Sequence, residues 1–470
     1  MKLNKQTVTA VISAALLTGG AAFGQSGDAI LDLLTKKGVI SQKEANDARE
    51  QLDVQNAQTV DAYNKIKTSS WVNSLQFFGD GRLRYEYRGG SGSYNTQAGA
   101  DNTDLDRFRY RLRFGVKGDF TDNFSYGLRL ETATKGNSAN TTMGGAANSQ
   151  GGANGSPLAG GPWGKGNTDT IAVGQLWATY KLTDWLTLTG GKIENPFMNT
   201  PMVWDGDLNP EGFAQKFTLK TEQADYFLTL GEFTYANGSK QNGFFGSAAT
   251  QPDTWMFGVQ GGGKVKFSKD MSFTLAPTFY FYKNATAGST TTGVFNPNFT
   301  GAAPNNIVGV NDLNVFDMPA EFAFMIPGIK LPGKVFGDFA INTTADNRVN
   351  QFTTAAFKSE GNQDIAYQVG ASIGSTKKKH DWMLKAYWQH TELNSLDPNL
   401  VDSDLFDSRL NMQGVVVNGQ YLFTDFLSFG VTYANARAID SNLPTLNGAG
   451  DLGGNLHSYS LLQADLVWKF

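Results

Sequence analysis

The stretch from Arg107 to Ala133 constrains the fold most strongly, because its side chains alternate between two chemical classes. Arginines stand at every second position and apolar residues stand between them, in the order Arg107, Phe108, Arg109, Tyr110, Arg111, Leu112, Arg113 and Phe114. Only a β-strand, with its period of two, sorts such a sequence onto two faces. After the four residues TDNF the alternation returns in SYGLRLETA. The pattern predicts a hairpin with one long aromatic face and one charged face.

The composition fits a chain that crosses a membrane with strands. There are 54 glycines, 33 phenylalanines, 16 tyrosines and 9 tryptophans, and there is no cysteine. After residue 25 no run approaches the roughly 18 apolar residues that a membrane-spanning helix needs. Spanning strands show instead segments of about ten residues that alternate apolar and polar positions. The lack of cysteine excludes a disulfide framework and a thiolate metal site.

The first 24 residues predict a signal peptide. Lys2 and Lys5 form a basic start, residues 8–17 are apolar, and Ala22 and Gly24 give a small-residue cleavage site. Removing the two lysines changes the formal charge from -4 to -6, because -4 minus 2 is -6. A chain this acidic, without a basic surface stretch, is not expected to bind nucleic acid.

Residues 25–70 are predicted to form a short periplasmic helical segment. Ser41 and Glu44 have the spacing of a capping box that opens a helix. The helix that follows has only a narrow apolar stripe at Ala45, Ala48 and Leu52, which Val54 can extend. Such a stripe needs a partner. A small helical pair or tether and a coiled coil that trimerises the chain both satisfy this need.

Residues 71–470 predict an all-β transmembrane antiparallel barrel of about 16 strands. The candidate strands are joined by connections that alternate strictly between short polar turns and long loops. Outer-membrane barrels have this asymmetry, with short periplasmic turns and long external loops. Aromatic residues beside the short turns, such as Phe120, Trp185 and Phe426, fit the girdle at a bilayer interface. Both chain ends would then be periplasmic, and the barrel would contact outer-membrane lipid.

A basic ladder is predicted on the inner wall of this barrel. A 16-stranded barrel leaves an aqueous channel, and arginines on the lipid face near the bilayer midplane would cost about 2–4 kcal/mol each. The arginines that share one parity on three consecutive strands are therefore assigned to the lumen, where they favour anions. They are Arg82, Arg84, Arg107, Arg109, Arg111, Arg113 and Arg129. In the alternative, Glu131, Asp104 and Asp106 neutralise them and leave little net field.

The stretch Asn195 to Gly212 is predicted to be the loop that narrows the channel. It carries Asp205, Asp207 and Glu211, and an acidic loop that faces an arginine wall sets a transverse field across the opening. The spacing of the first two of these acids also suits a calcium loop. That loop needs Gly at position six and Glu at position twelve, where this chain has Pro210 and Lys216. No metal and no cofactor is therefore predicted.

Four stretches carry a resemblance to a known family. They are DAILDLLTKKGVISQKEA near the start, RFRYRLRFGVKGDF, GKIENPF at 191–197 and VWDGDLNPEG at 203–212. They resemble the putative-porin family of Gram-negative outer-membrane barrels, most specifically over residues 105–215. The Lys-Lys-Gly segment near residue 37 is also similar to phosphate-selective porins. The resemblance implies passive diffusion of small hydrophilic solutes, commonly through trimers.

The sequence thus predicts an outer-membrane porin, and it leaves two alternatives. A non-conducting structural or adhesive barrel could use the same long loops to bind a host or a phage. A barrel hydrolase would need a nucleophile context, and the three histidines, at 380, 390 and 457, stand in no G-x-S-x-G or related motif. No residue is predicted to be catalytic, and the chain is not expected to be an enzyme.

Overall fold

The computed structural model of the chain divides into two units, Met1–Val72 and Asn73–Phe470. It describes residues 35–37, 41, 44–46, 72–93, 102–133, 138–143, 170–236, 253–283, 309–350, 355–445, 450–452 and 455–470. The predicted signal peptide lies outside these residues. The division of the chain into signal peptide, helical segment and barrel therefore stays a prediction.

In the first unit the predicted capping box is formed. The Oε2 atom of Glu44 accepts a hydrogen bond from the backbone N–H of Ser41 at 2.7 Å, and the backbone N–H of Glu44 donates to Ser41 Oγ at 3.3 Å. Residues 44–46 are helical. The reciprocal pair satisfies two backbone donors at the start of the helix.

The second unit is one antiparallel sheet that closes on itself. Strands that follow each other in the chain are paired, and the first segment also pairs with the last, from Asp80↔Lys469 to Ser93↔Asn455. The segments are β1 (Gln76–Ser93), β2 (Asn102–Thr121), β3 (Phe124–Ala133), β4 (Thr141–Thr142), β5 (Thr170–Thr183), β6 (Leu186–Lys192), β7 (Glu211–Lys220), β8 (Ala224–Ala236), β9 (Thr254–Ser268), β10 (Met271–Leu275), β11 (Thr278–Lys283), β12 (Val315–Asp317), β13 (Ala320–Met325), β14 (Pro332–Asn342), β15 (Ile365–Gly374), β16 (Trp382–Thr391), β17 (Met412–Leu422), β18 (Leu427–Ala438) and β19 (Asn455–Lys469).

These 19 segments make 16 barrel strands. The two-residue β4 only flanks β2, and two strands are each broken once by a proline, at Pro277 between β10 and β11 and at Pro319 between β12 and β13. Proline cannot donate a hydrogen bond to the ladder, so the pairing lapses there. Subtracting β4 and counting each broken strand once gives 19 minus 3, or 16. The predicted all-β antiparallel barrel is confirmed.

The outer wall of the barrel is apolar, and aromatic rings cover its closing seam. Leu83, Phe108 and Leu112 face outward with 42%, 60% and 44% of their surface exposed. At the seam between β1 and β19, a Cβ atom on Gly81 would lie 2.1 Å from the indole ring of Trp468. The glycine therefore leaves the space in which this ring lies against the first strand.

The two rims of the barrel differ as predicted. The short-turn rim carries connections such as Asp122–Asn123 and Asp184–Trp185, and the long-loop rim carries the others. In the described part of the long connections there are three short helical segments: Ala345–Asn350, Ala355–Ser359 and a 3₁₀ turn at Phe406–Ser408. No helix within the described ranges is long and apolar enough to cross a membrane.

Within the described residues, two long connections supply most of the loop residues of the apolar core inside the barrel. The first inward loop (residues 193–210) joins β6 to β7, and the second inward loop (residues 392–411) joins β16 to β17. Met202 and Trp204 of the first loop are 0% and 4% exposed, and Leu396 and Val401 of the second are each 1% exposed. They belong to one cluster with wall residues such as Phe233. The apolar core of this barrel therefore lies inside the lumen, between the two loops and the wall.

Candidate functional site

The hairpin singled out by its alternation forms one charged patch with the strand before it. β1 and β2 pair so that Arg82 lies opposite Arg111 and Arg84 lies opposite Arg109. Like charges directly opposite each other destabilise a sheet, so the wall needs acidic partners. The inner-face arginines of this patch, called the arginine wall below, are Arg82, Arg84, Arg88, Arg107, Arg109, Arg111, Arg113 and Arg129.

Glu86 is the central acid of the arginine wall. Its side chain is fully buried, and its carboxylate lies 3.1 Å from the guanidinium of Arg88 and 3.5 Å from those of Arg84 and Arg109. Arg107 also donates a hydrogen bond to this carboxylate. One buried acid thus contacts four cations, which lowers the repulsion among them.

Three other acids of the strands also contact arginines of the wall. Asp80 lies 2.6 Å from Arg111, Asp465 lies 2.7 Å from Arg84, and Glu131 lies 3.0 Å from Arg129. Arg82 donates a hydrogen bond to the Oδ1 atom of Asn140. Of the three acids predicted in the alternative to neutralise the arginines, Glu131 is the one that contacts an arginine. Asp104 and Asp106 are exposed on the other face of β2, beside Phe108.

Acids from the long connections also dock on the arginine wall. Asp207 of the first inward loop lies 2.8 Å from Arg113, and Asp404 of the second lies 2.6 Å from Arg84 and 3.0 Å from Arg88. Arg107 contacts Asp451, which precedes β19. The wall is therefore the surface on which three connections are anchored inside the barrel.

Asp205 contacts the other inward loop rather than the arginine wall. Its Oδ2 atom accepts hydrogen bonds from the backbone N–H and the hydroxyl of Ser403, both at 3.0 Å. Its own backbone N–H donates to the carbonyl of Leu400 at 2.6 Å. Burial, and next the neighbouring Asp207 carboxylate, raise the pKa of Asp205 to about 7. The two inward loops thus meet at a carboxyl group that titrates near neutral pH.

The remaining predicted acid, Glu211, lies apart from these contacts. It is the first residue of β7, and its side chain is 64% exposed and 3.0 Å from Lys192. Of the three acids predicted to face the arginines, only Asp207 contacts one. The predicted arginines are brought together on one wall, with side chains that are 3–14% exposed.

Several members of the site were not predicted. Asp80, Glu86 and Arg88 share the parity of Arg82 and Arg84 on β1, so the same alternation could have indicated them. The loop residues that complete the site have no signal of this kind. They are Ser403, Asp404, Asp451 and Asp407, whose carboxylate lies 3.0 Å from the guanidinium of Arg88.

Two solved structures of bacterial proteins are similar to this chain. OprB of Pseudomonas putida, in a high-pH structure, is 13% identical, with 84% of this chain and 94% of that chain covered and a TM-score of 0.46. A triple mutant of the porin of Rhodopseudomonas blastica is 11% identical, with 84% and 100% covered and a TM-score of 0.38. A search of curated proteins found no match.

A protein-family model matches the part of the chain that contains the first inward loop and most of the arginine wall. The match covers residues 90–306, which run from the end of β1 to beyond β11. It includes the whole range, 105–215, on which the predicted resemblance depends most. Over residues 90–306 the chain matches the putative porin family, and the predicted resemblance is confirmed there.

Proposed function

We propose that this barrel is an outer-membrane channel through which small hydrophilic solutes diffuse passively. The observation that carries the proposal is a closed 16-stranded barrel with an apolar outer wall and an inner wall of charged and polar side chains. Barrels of this size enclose more space than their own wall side chains fill. The short-turn rim and both chain ends are assigned to the periplasm, by the asymmetry of such barrels.

The two inward loops are proposed to set the width of the channel. They cross the lumen, meet at Asp205 and Ser403, and dock on the arginine wall through Asp207 and Asp404. Arg111 and Arg113 beside Asp207 are proposed to line the opening, and the more deeply buried arginines to hold the loops. Because acids contact most of the arginines, we expect the anion preference of the channel to be modest.

Single-channel recording tests this proposal together with the role of the wall. In planar bilayers we expect stable ohmic steps in KCl and a reversal potential on the anion side of zero under a salt gradient. Changing Arg113 to Gln leaves Asp207 without its 2.8 Å cation, so the reversal potential should move toward cation preference. Arg437→Gln makes the same change of charge on an exposed side chain of β18 and should not move it. Equal reversal potentials for Arg113→Gln and wild type would show that the arginine wall does not determine the ion selectivity of the channel.

A non-conducting barrel is the second candidate, and the inward loops favour it. Together they bury an apolar cluster inside the lumen, and a lumen filled in this way could serve only to present the outer loops. Inserted protein that gives no KCl steps would support this candidate. The homotrimer implied by the resemblance stays a prediction, which the mass of the protein in detergent would check.

A pH dependence is expected at the junction of the two inward loops. Folding raises the pKa of Asp205 to about 7 from its usual value near 4, so the folded state holds this proton more tightly than the unfolded state. The stability of the junction is therefore highest below about pH 4 and falls as the pH rises to about 7. The groups that face Asp205 are Asp207, Ser403, Asp402 and Asp404. Burial, with the charge of Asp205, also raises the pKa of Asp402.

Protease cleavage within the inward loops should therefore become faster between pH 5 and 8. Asp205→Asn cannot ionise, so it should flatten this dependence. Asp184→Asn, at an exposed short turn, should keep the wild-type profile. If the cleavage rate of Asp205→Asn depended on pH as that of the wild type does, a group other than Asp205 would cause the pH dependence.

A further inference from the structure

A row of hydrogen-bonding side chains crosses four neighbouring strands, β14 to β17, away from the arginine wall. Lys334 on β14 pairs with Ser372 on β15, which pairs with Lys385 on β16, which pairs with Asn418 on β17. Neighbouring strands lie about 4.8 Å apart, so these four side chains stand side by side. On the same strands, Val335, Val369 and Leu384 have the opposite parity and are 48%, 55% and 47% exposed on the outer wall. Because successive side chains of a strand point to opposite faces, the row lies on the inner face.

Lys385 is held in place by two aromatic rings. Its Nζ atom lies 5.0 Å from the ring centroid of Phe336 and 5.0 Å from that of Tyr387. The two rings meet edge to face, with centroids 6.2 Å apart. Cation–π contacts of this kind attract the ammonium group without neutralising its charge. The rings therefore fix the position of the cation and leave it able to bind an anion.

The charges around Lys385 define the anion that would fit. Within the residues that the structure describes, no carboxylate oxygen lies within 4.0 Å of its Nζ atom. The neighbouring Lys334 is paired with Glu321 at 2.9 Å, so that pair is neutral. Asp402 of the second inward loop also lies within electrostatic reach of Lys385. Lys385 thus offers one positive charge, and the acids Glu321 and Asp402 are close by. A monoanion suits this charge, whereas a dianion would be repelled more strongly by the two acids.

We propose that Lys385 binds the carboxylate of small monoanionic solutes, with the hydroxyl of Ser372 as second donor and a flat apolar body against Phe336. This rests on the proposed channel function and names the class of solute that the lumen retains during passage. Asn418 takes a lesser part, because its Nδ2 atom already donates to Thr432 Oγ1 at 2.8 Å. A charged donor beside a hydroxyl and an aromatic face is the arrangement expected for an aromatic carboxylate.

Benzoate is the probe that tests the proposal. Its block of single-channel KCl current is compared in wild type, Lys385→Gln and Lys377→Gln, which makes the same charge change at an exposed short turn. We expect Lys385→Gln to need about tenfold more benzoate for half block, a typical effect of losing a hydrogen bond to a charged group. Glu321→Gln frees Lys334 and should lower the half-blocking concentration. Benzylammonium, of similar shape and opposite charge, should not block.

The outcomes separate the site from the channel. KCl steps without benzoate block, or equal block in wild type and Lys385→Gln, would overturn the site and leave the channel. An absence of KCl steps would count against the channel function. Titration calorimetry of benzoate into the protein in detergent then gives the same comparison without conduction. Heat-dependent migration in gels shows whether each variant is folded, and equal heats of binding for wild type and Lys385→Gln would refute the proposal.

Discussion

Replacing Glu86 by glutamine is expected to lower the free energy of unfolding by about 3–5 kcal/mol. The carboxylate is fully buried and contacts four arginines. Glutamine keeps the shape of the side chain and removes the charge, so the arginines are left facing each other inside the barrel. Breaking a buried ion network from one side has this large effect because the remaining charges stay desolvated. The midpoint and slope of urea unfolding in detergent measure the change.

Glu211→Gln is the matched control for this experiment. Its side chain is 64% exposed and pairs with a single lysine at the start of β7. Exposed ion pairs contribute about 0–1 kcal/mol, so this variant should unfold close to the wild-type midpoint. Similar midpoints for Glu86→Gln and Glu211→Gln would show that the arginine wall is stable without its central acid.

Replacing Trp204 by alanine is expected to detach the first inward loop and raise the single-channel conductance. The indole is 4% exposed within the apolar cluster of the lumen, its ring centroid lies 6.4 Å from that of Tyr280, and its N–H donates to the carbonyl of Leu208 at 3.2 Å. Truncating a buried tryptophan costs about 3–5 kcal/mol. That loss weakens the docking of the loop and not the barrel, because the hydrogen bonds between the strands are unchanged.

Trp185→Ala separates this effect from the loss of any tryptophan. Trp185 stands at a short turn, 54% exposed, with its ring stacked on Phe217 at 6.0 Å. We expect its removal to leave the conductance unchanged. Larger steps in both variants, or in neither, would contradict the assignment of the first inward loop as the element that narrows the lumen.

The sequence predicts the barrel well because the information for it is local. Each strand shows its two faces by alternation, and hairpin pairing follows from short turns such as Asp122–Asn123. The same parity places Asp80 and Glu86 beside the predicted arginines. Predictions at this level need only a strand and its neighbour in the chain.

The loop part of the site could not be predicted in this way. Asp205 and Ser403 are 198 positions apart, and no periodicity connects two loops that meet in a lumen. The prediction that Asp205 faces the arginines rests on the acidic charge of a loop assigned to the channel, which does not distinguish one acid of the loop from another. A local turn, in which the backbone N–H of Asp207 donates to Asp205 Oδ1 at 2.8 Å, holds the two acids in different surroundings. Asp207 is left to reach Arg113.

The shared anchoring of three connections on the arginine wall has a consequence for engineering and for divergence. Asp207, Asp404 and Asp451 come from three different connections, and each lies against a mostly buried arginine of the same wall. Replacing one connection with that of a relative would remove one acid from an arginine that stays desolvated. These connections should therefore tolerate exchange as a set of three, and single grafts between relatives should fail even where the strands are compatible.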